Sequence, residues 1–378
     1  MNKLWMLLFI SLIFAILIEK RDCFILNNKN RYIYVYREKI ITLLFVMFLG
    51  IFCGLRTWYN DTVTYLQMYS DTPLLSEYFD SAVKHSFSEG IGFHLLNSII
   101  KTIGFSSQDF IMFYGVITSY LYVRFVRAFS KETIFSVFLM ITTGFYIFSF
   151  AAIKQSFAIG LCLLGVEYLV KGHRIHFIFW GVFASLFHPY ALIYLLLLFL
   201  NFNPNSIKTV FFMAFFIVLG FSMRSLLEPL LMLTESIGAG YTMDSFVGEG
   251  VNVARVMVCF VPFILFLFFR KTIFYCSQKS ENILYNTAIL NALLMFCALF
   301  GTANYFARLA NYFLPAQVVI LPWMIKKTGK NNRIILTVLC VIGFIMFFIY
   351  GNLIRNVFDE EFSQISLWTY ILSHFGGK

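Results

Sequence analysis

Residues 334–351 read IILTVLCVIGFIMFFIYG, an apolar run without a charged side chain. A helix of about 20 such residues crosses the hydrocarbon core of a bilayer, whereas a membrane-barrel strand would alternate apolar with polar side chains. No such alternation is present. Comparable runs lie near 4–18, 40–54, 108–123, 133–150, 155–170, 209–226, 254–269, 283–300 and 304–325. The pattern predicts an all-α fold: a polytopic transmembrane helix bundle of roughly 10–13 membrane helices, re-entrant or broken ones included. Composition agrees, because 60% of the 378 residues are hydrophobic and 13% charged, while a soluble domain needs about a quarter charged to cover its surface. The whole chain, 1–378, reads as a single integral-membrane domain with outer loops near 55–90 and 227–253. The run Leu4–Ile18 has the length of a signal-peptide core, but no small-residue cleavage site follows it and further spans do, so it is expected to remain as a helix.

The seven cysteines are odd in number, form no CxxC pair and lie mostly in apolar runs. They read as small core residues, and neither a metal nor a cofactor is expected. A P-loop, a GxGxxG fingerprint and heptad repeats are missing, which excludes a nucleotide-driven engine within the chain. The formal net charge of +10 suits anionic lipid head groups, and no nucleic-acid partner is expected.

Lys and Arg concentrate at Lys20–Lys39, Arg124–Lys131, Lys171–Arg174, around Lys208, at Arg270–Lys279 and at Lys326–Arg333. The positive-inside rule puts these segments in the cytoplasm and the acidic or cation-poor stretches Arg56–Glu89 and Glu228–Glu249 outside. Residues 91–103, with Lys101 among them, are too short and polar to span and read as a re-entrant or interfacial helix. Residues 175–201 must then cross an even number of times. Two short helices meeting at His188-Pro189 satisfy this, and a single Pro-kinked span is the alternative.

On that topology the cations that break the rule, Arg56, Lys154, Arg224, Arg255 and Arg308, all lie toward the outer side. A charge at the bilayer centre costs about 2.5–3.5 kcal/mol on insertion scales, so such residues usually face a bundle interior or a wet cavity. Several cations at one depth suit a large anion such as a diphosphate, which guanidinium forks engage bidentately. Asn304, Arg308 and Tyr312 follow at helical spacing and are expected to share one face of a span. Plainer readings stand beside these: Arg56 and Lys154 as snorkelling helix-end cations, Arg224 and Arg255 as ion-pair partners of Glu228 and Glu249. His188, at a helix break, suits either acid–base work or a buried structural role. Asp61 suits a helix N-cap or a carboxylate that takes a proton from a sugar hydroxyl, with Tyr65 one turn along.

Four stretches resemble the EpsG family of exopolysaccharide polymerase-like membrane proteins. Gly54-Leu55-Arg56 followed by Asp61-Thr62 and Tyr65 resembles its opening GLR…D…Y signature. Glu89-Gly90-Ile91-Gly92-Phe93 with Leu95-Leu96-Asn97 resembles its next block. Lys154-Gln155-Ser156-Phe157-Ala158 and then Ala184-Ser185-Leu186-Phe187-His188 resemble the central RQ..A and A..FH elements, with Lys154 in place of the usual arginine and Pro189-Tyr190 in place of Lys-Ser. Arg308 with Tyr312-Phe313 resembles the late R…YF element. The order covers about residues 40 to 325.

The resemblance implies a membrane glycan polymerase, a glycosyltransferase working on polyprenyl-diphosphate-linked oligosaccharides at the outer face of the bacterial cytoplasmic membrane. A flippase would supply the repeat unit and a chain-length regulator would limit the product. Arg56, Lys154 and Arg308 would hold the leaving diphosphate, and Asp61 or His188 would activate the acceptor hydroxyl. Tyr65, Glu89, Asn304, Tyr312 and Arg255 would supply sugar or supporting contacts. Two other classes compete: a transporter or flippase of lipid-linked sugars, which predicts an inverted repeat and midplane charges, and a membrane acyltransferase with a histidine inside a span.

Overall fold

The computed structural model describes residues 2–27, 31–79, 87–236, 251–300, 303–354 and 358–375. The protein is 82% helical. Its helices run α1 (Asn2–Arg21), α2 (Ile40–Gly54), α3 (Thr62–Ser70), α4 (Leu75–Tyr78), α5 (Ile91–Thr102), α6 (Ser107–Phe129), α7 (Thr133–Thr142), α8 (Phe145–Ala151) and α9 (Ile153–Lys171). They continue as α10 (Arg174–Ser185), α11 (Ile207–Ser236), α12 (Val253–Ile273), α13 (Lys279–Phe300), α14 (Ala303–Asn311), α15 (Leu314–Lys327), α16 (Lys330–Phe348), α17 (Phe358–Glu361) and α18 (Leu367–Phe375). Strand β1 (Cys23–Asn27) pairs antiparallel with β2 (Arg31–Tyr36), and β3 (Arg56–Trp58) with β4 (Ser363–Gln364).

Among the described residues five helices are long and apolar enough to cross a membrane: α6, α9, α12, α13 and the segment Lys330–Asn352 that α16 opens. The pair α7 and α8, bent by 42°, makes up to six. That is fewer than the roughly 10–13 membrane helices expected; further apolar helices, Ile40–Gly54, Pro189–Phe199 and Ile207–Ser222, are shorter, and the interruptions have local causes. Gly144 separates α7 from α8 at a φ of 80°, a left-handed conformation that only glycine adopts cheaply. Residues 175–201 form α10 and a 3₁₀ helix over Pro189–Phe199, parted at Leu186–His188, because Pro189 has no N–H to continue the α-helical ladder. The expected span 304–325 is two helices, α14 and α15, divided at Tyr312-Phe313.

The chain forms two compact units. The first comprises residues 1–163, 186–188 and 348–378. In it α2 and α6 touch closely enough that a Cβ on Gly50 would stand 2.7 Å from Cα of Val116, and one on Gly54 would stand 2.7 Å from Cα of Met112. Within lipid, small residues of this kind let helix backbones approach and gain dispersion contacts. At one end of these helices the buried Arg127 guanidinium pairs with both carboxylate oxygens of Asp22, whose Oδ1 also accepts the Glu38 backbone N–H at 2.8 Å. Removing one partner of such a buried pair typically costs about 3–5 kcal/mol.

At the other end the C-terminal segment is strapped over the start of α6. The Ile365 N–H donates to the Leu55 carbonyl at 3.0 Å, and Gln108 donates to the carbonyls of Gly54 (2.6 Å) and Arg56 (3.1 Å). Beneath the strap, Phe52, Tyr59, Phe150, Phe358 and Phe362 form one ring cluster with centroids 4.5–6.3 Å apart, within the range of favourable aromatic pairs.

The second unit comprises residues 164–185 and 189–347. Its central helix is α13, buried along nearly its whole length. Side-chain amides on and around α13 bond backbone carbonyls: Asn286 donates to Leu200 (2.7 Å) and Phe202 (2.9 Å), Asn291 to Ala310 (2.7 Å), and Gln317 to Val258 (2.7 Å), whose helical partner four residues on is Pro262 and has no N–H to give. The break after α14 is held by two donors to the Ala310 carbonyl, the Phe313 N–H at 2.9 Å and the Asn291 amide.

The strap offers a test. His374 Nε2 lies 3.0 Å from Asp109 Oδ2, its Nδ1 lies 2.9 Å from the Tyr370 carbonyl, and Tyr370 donates to the same Asp109. Acceptors facing both ring nitrogens favour imidazolium, and the Asp109 hydrogen bond pushes the His374 pKa above its ordinary value. A raised folded-state pKa contributes stability that is fully present below the unfolded value of about 6.5 and lost as pH rises through the folded value. A spin label on Leu372→Cys should therefore become more mobile in that upper window, and His374→Ala should make it mobile throughout.

Candidate functional site

The site lies in the first unit and is built around Phe93, whose ring is fully buried on α5. The turn entering α5 places Gly90 at φ 85°, where a Cβ would come within 2.4 Å of the Phe187 carbonyl oxygen. Two residues on, the Gly92 N–H donates to the Leu186 carbonyl at 2.8 Å. These two glycines let the segment Leu186–His188 lie directly on the α5 entrance. The Phe187 ring meets the Phe157 ring edge-on at 4.9 Å, and half-buried His188 follows at once.

Lys154 comes from the first turn of α9, just after the break at Ala152. Its Nζ donates to the Glu89 carbonyl at 3.1 Å, stands 3.4 Å from His94 Nε2 and lies 5.1 Å above the Phe93 ring centroid. An ammonium withdrawn from water needs such acceptors, and an aromatic face supplies a further favourable field. The exposed Glu89 carboxylate supplies an opposing charge. Tyr65 approaches the same Phe93 ring edge-on at 6.2 Å.

Lys154 and Tyr65 therefore meet at the Phe93 ring, the Glu89 carbonyl holds the Lys154 ammonium, and the segment bearing His188 seats on the turn that enters α5. Asp61 stands at the start of α3, exposed, and its side chain makes no capping hydrogen bond. The N-cap reading thus holds for position and not for side-chain chemistry. Arg56 is buried at the junction of α2 and α3. Only 1% exposed, it donates to the Cys53 carbonyl (2.7 Å), Cys53 Sγ (2.9 Å) and Thr62 Oγ1 (3.2 Å). Those bonds tie the end of α2 to the beginning of α3, beside Asp61.

In the second unit, Arg255 on the first turn of α12 donates to Asn311 Oδ1 at 2.8 Å. Arg308 is exposed on α14, whereas Tyr312 is fully buried. The expected shared face of Arg308 and Tyr312 does not form, because α14 ends at Asn311 and the chain turns before α15. The side chains of Asn304 and Arg224, and residue Glu249, lie outside the described residues.

His94 is the residue that sequence reasoning missed. It is 6% exposed and sits one turn before Asn97, also buried. Two polar residues at that spacing on the inner face of an amphipathic helix are the signal that was available. Among the described residues no group of three or more His, Cys, Asp or Glu is placed to hold a metal ion.

The Gly90 contact makes a direct prediction. Gly90→Ala forces a side chain into a left-handed position, at about 1–2 kcal/mol, and against the Phe187 carbonyl. It should lower the unfolding temperature in detergent and displace the His188 segment; an unchanged unfolding temperature would contradict the contact.

No curated protein and no solved structure gives a significant match to the chain. A family model does, over residues 39–370, and that stretch contains every site residue above. Its extent, together with the membrane-length apolar helices, shows that this multi-pass membrane protein belongs to the EpsG family and is exopolysaccharide polymerase-like.

Proposed function

We propose that the protein is a glycan polymerase, an integral-membrane glycosyltransferase of the bacterial cytoplasmic membrane. It transfers a growing oligosaccharide from polyprenyl diphosphate to a hydroxyl of the next lipid-linked repeat unit, on the outer face. The observation that carries this reading is the half-buried Lys154 ammonium, held by the Glu89 carbonyl and the Phe93 ring beside the His188 segment.

In the proposed reaction the bond between the anomeric carbon and the diphosphate oxygen breaks as the acceptor oxygen bonds to that carbon. The acceptor proton passes to Asp61 or His188, and polyprenyl diphosphate leaves with its charge stabilised by Lys154. A fixed cation in a water-poor site stabilises developing charge without reorganising solvent. Asp61 suits the base because no capping bond occupies its carboxylate. Arg56 holds the loop that presents Asp61, and Tyr65 offers an aromatic face to a sugar ring. Arg308 is proposed, from its charge and exposure alone, as a contact for anionic substrate groups.

Purified protein incubated with a lipid-diphosphate-linked repeat unit, and no nucleotide sugar, should yield a ladder of longer lipid-linked oligomers. Unaltered donor would contradict polymerase activity, and its movement across a vesicle bilayer would favour a transporter. Loss of a transition-state charge contact typically slows reaction about a hundred- to thousandfold, so Lys154→Met should do so at matched protein abundance. For Arg308, Ala should abolish polymer and Lys should restore part of it, because the ammonium keeps the charge but loses the planar fork. Wild-type yield from Arg308→Ala would remove that residue from the site.

A further inference from the structure

We infer that His94 is a positioning residue that fixes the Lys154 ammonium for an anionic group of the donor; this rests on the polymerase reading. Three features of the geometry carry it. His94 is a polar side chain only 6% exposed on α5. Its Nε2 is 3.4 Å from Lys154 Nζ, the reach of a weak hydrogen bond from ammonium to a neutral imidazole. The same Nζ is already engaged by the Glu89 carbonyl at 3.1 Å.

An ammonium has three N–H donors on a four-carbon stem with many rotamers. Two acceptors fix its direction and leave one donor for a ligand oxygen. With the Glu89 carbonyl as its one hydrogen-bond acceptor, an ammonium over the Phe93 ring would keep two N–H groups undirected. His94 is the second acceptor, and the first turn of α5 that carries it is fixed by the Gly92 bond to the Leu186 carbonyl. The same Gly90–Gly92 turn that seats the His188 segment therefore sets the direction of the Lys154 charge through His94.

The test compares His94→Gln, whose amide oxygen keeps an acceptor, with His94→Leu, which fills the volume and removes it. Positioning predicts that Leu raises KM for the lipid-diphosphate donor about tenfold, the usual scale for losing a hydrogen bond to a charged group, while Gln recovers most of the wild-type value. On a Lys154→Met background, His94→Leu should change KM no further, because the two residues act as a unit. A merely core-filling histidine predicts the reverse order, with Leu tolerated and Gln harmful, and that result would overturn the proposal.

A second readout is independent of turnover. Trace acylation of Lys154 by an amine reagent, read by mass spectrometry, should rise severalfold in His94→Leu and stay near wild type in His94→Gln. Equal acylation in all three proteins would overturn the link between His94 and Lys154. If wild-type protein forms no oligomer ladder, the polymerase reading fails while the acylation pattern still decides the link.

Discussion

A half-buried cation gains from oxygen and π-electron density inside the fold, and Lys154 finds both by drawing distant segments together. Its ammonium meets the Glu89 carbonyl 65 residues away in sequence and His94 60 residues away. The ring beneath it is Phe93. Glu89, Phe93 and His94 reach Lys154 from the entrance of α5, a left-handed turn at Gly90 where the Phe187 carbonyl occupies the space of a side chain. The charge, the turn and the seat of His188 are consequences of one packing arrangement.

Interrupted helices supply the variety that a bundle of straight spans would lack. Breaks at Gly144, Ala152, Leu186–His188 and Tyr312-Phe313 each free backbone groups, and an apolar interior requires that they be satisfied. The Asn291 bond to the Ala310 carbonyl shows how this is met in the second unit. In the first unit the break at Ala152 turns the start of α9 into a place where Lys154 reaches the α5 entrance. Non-helical backbone at such depth is found where protein buries it or where it lines a cavity, which is why these breaks coincide with polar side chains.

Much of the fold was legible because hydrophobic runs are local. The run 40–54 coincides with α2, and the pair of helices around Pro189 follows from proline chemistry. The number of full spans was less legible, since an apolar run does not disclose a bend at Gly144 or a stop at Asn311. The polar face expected of Arg308 and Tyr312 failed for the same reason: helical spacing predicts a shared face only while the helix continues. At the site, Lys154, Glu89 and Tyr65 were singled out by charge and by family resemblance, but their assembly around Phe93 depends on contacts across many residues. His94 was less legible: its one cue is Asn97 a turn further on, and that cue does not disclose a partner at Lys154, 60 residues away. Arg56, expected as an anion contact or as a snorkelling helix-end cation, is buried and bonded to Cys53 and Thr62, partners that its charge alone does not disclose.

The central claim is that the Lys154 ammonium receives a diphosphate. A cryo-electron microscopy structure of the full chain in lipid with a polyprenyl-diphosphate-linked sugar tests it most directly. A phosphate oxygen within about 3 Å of Lys154 Nζ is the predicted result, the ordinary length of a charge-assisted hydrogen bond. A well-ordered diphosphate elsewhere, with Lys154 still bound only to Glu89 and His94, would contradict it.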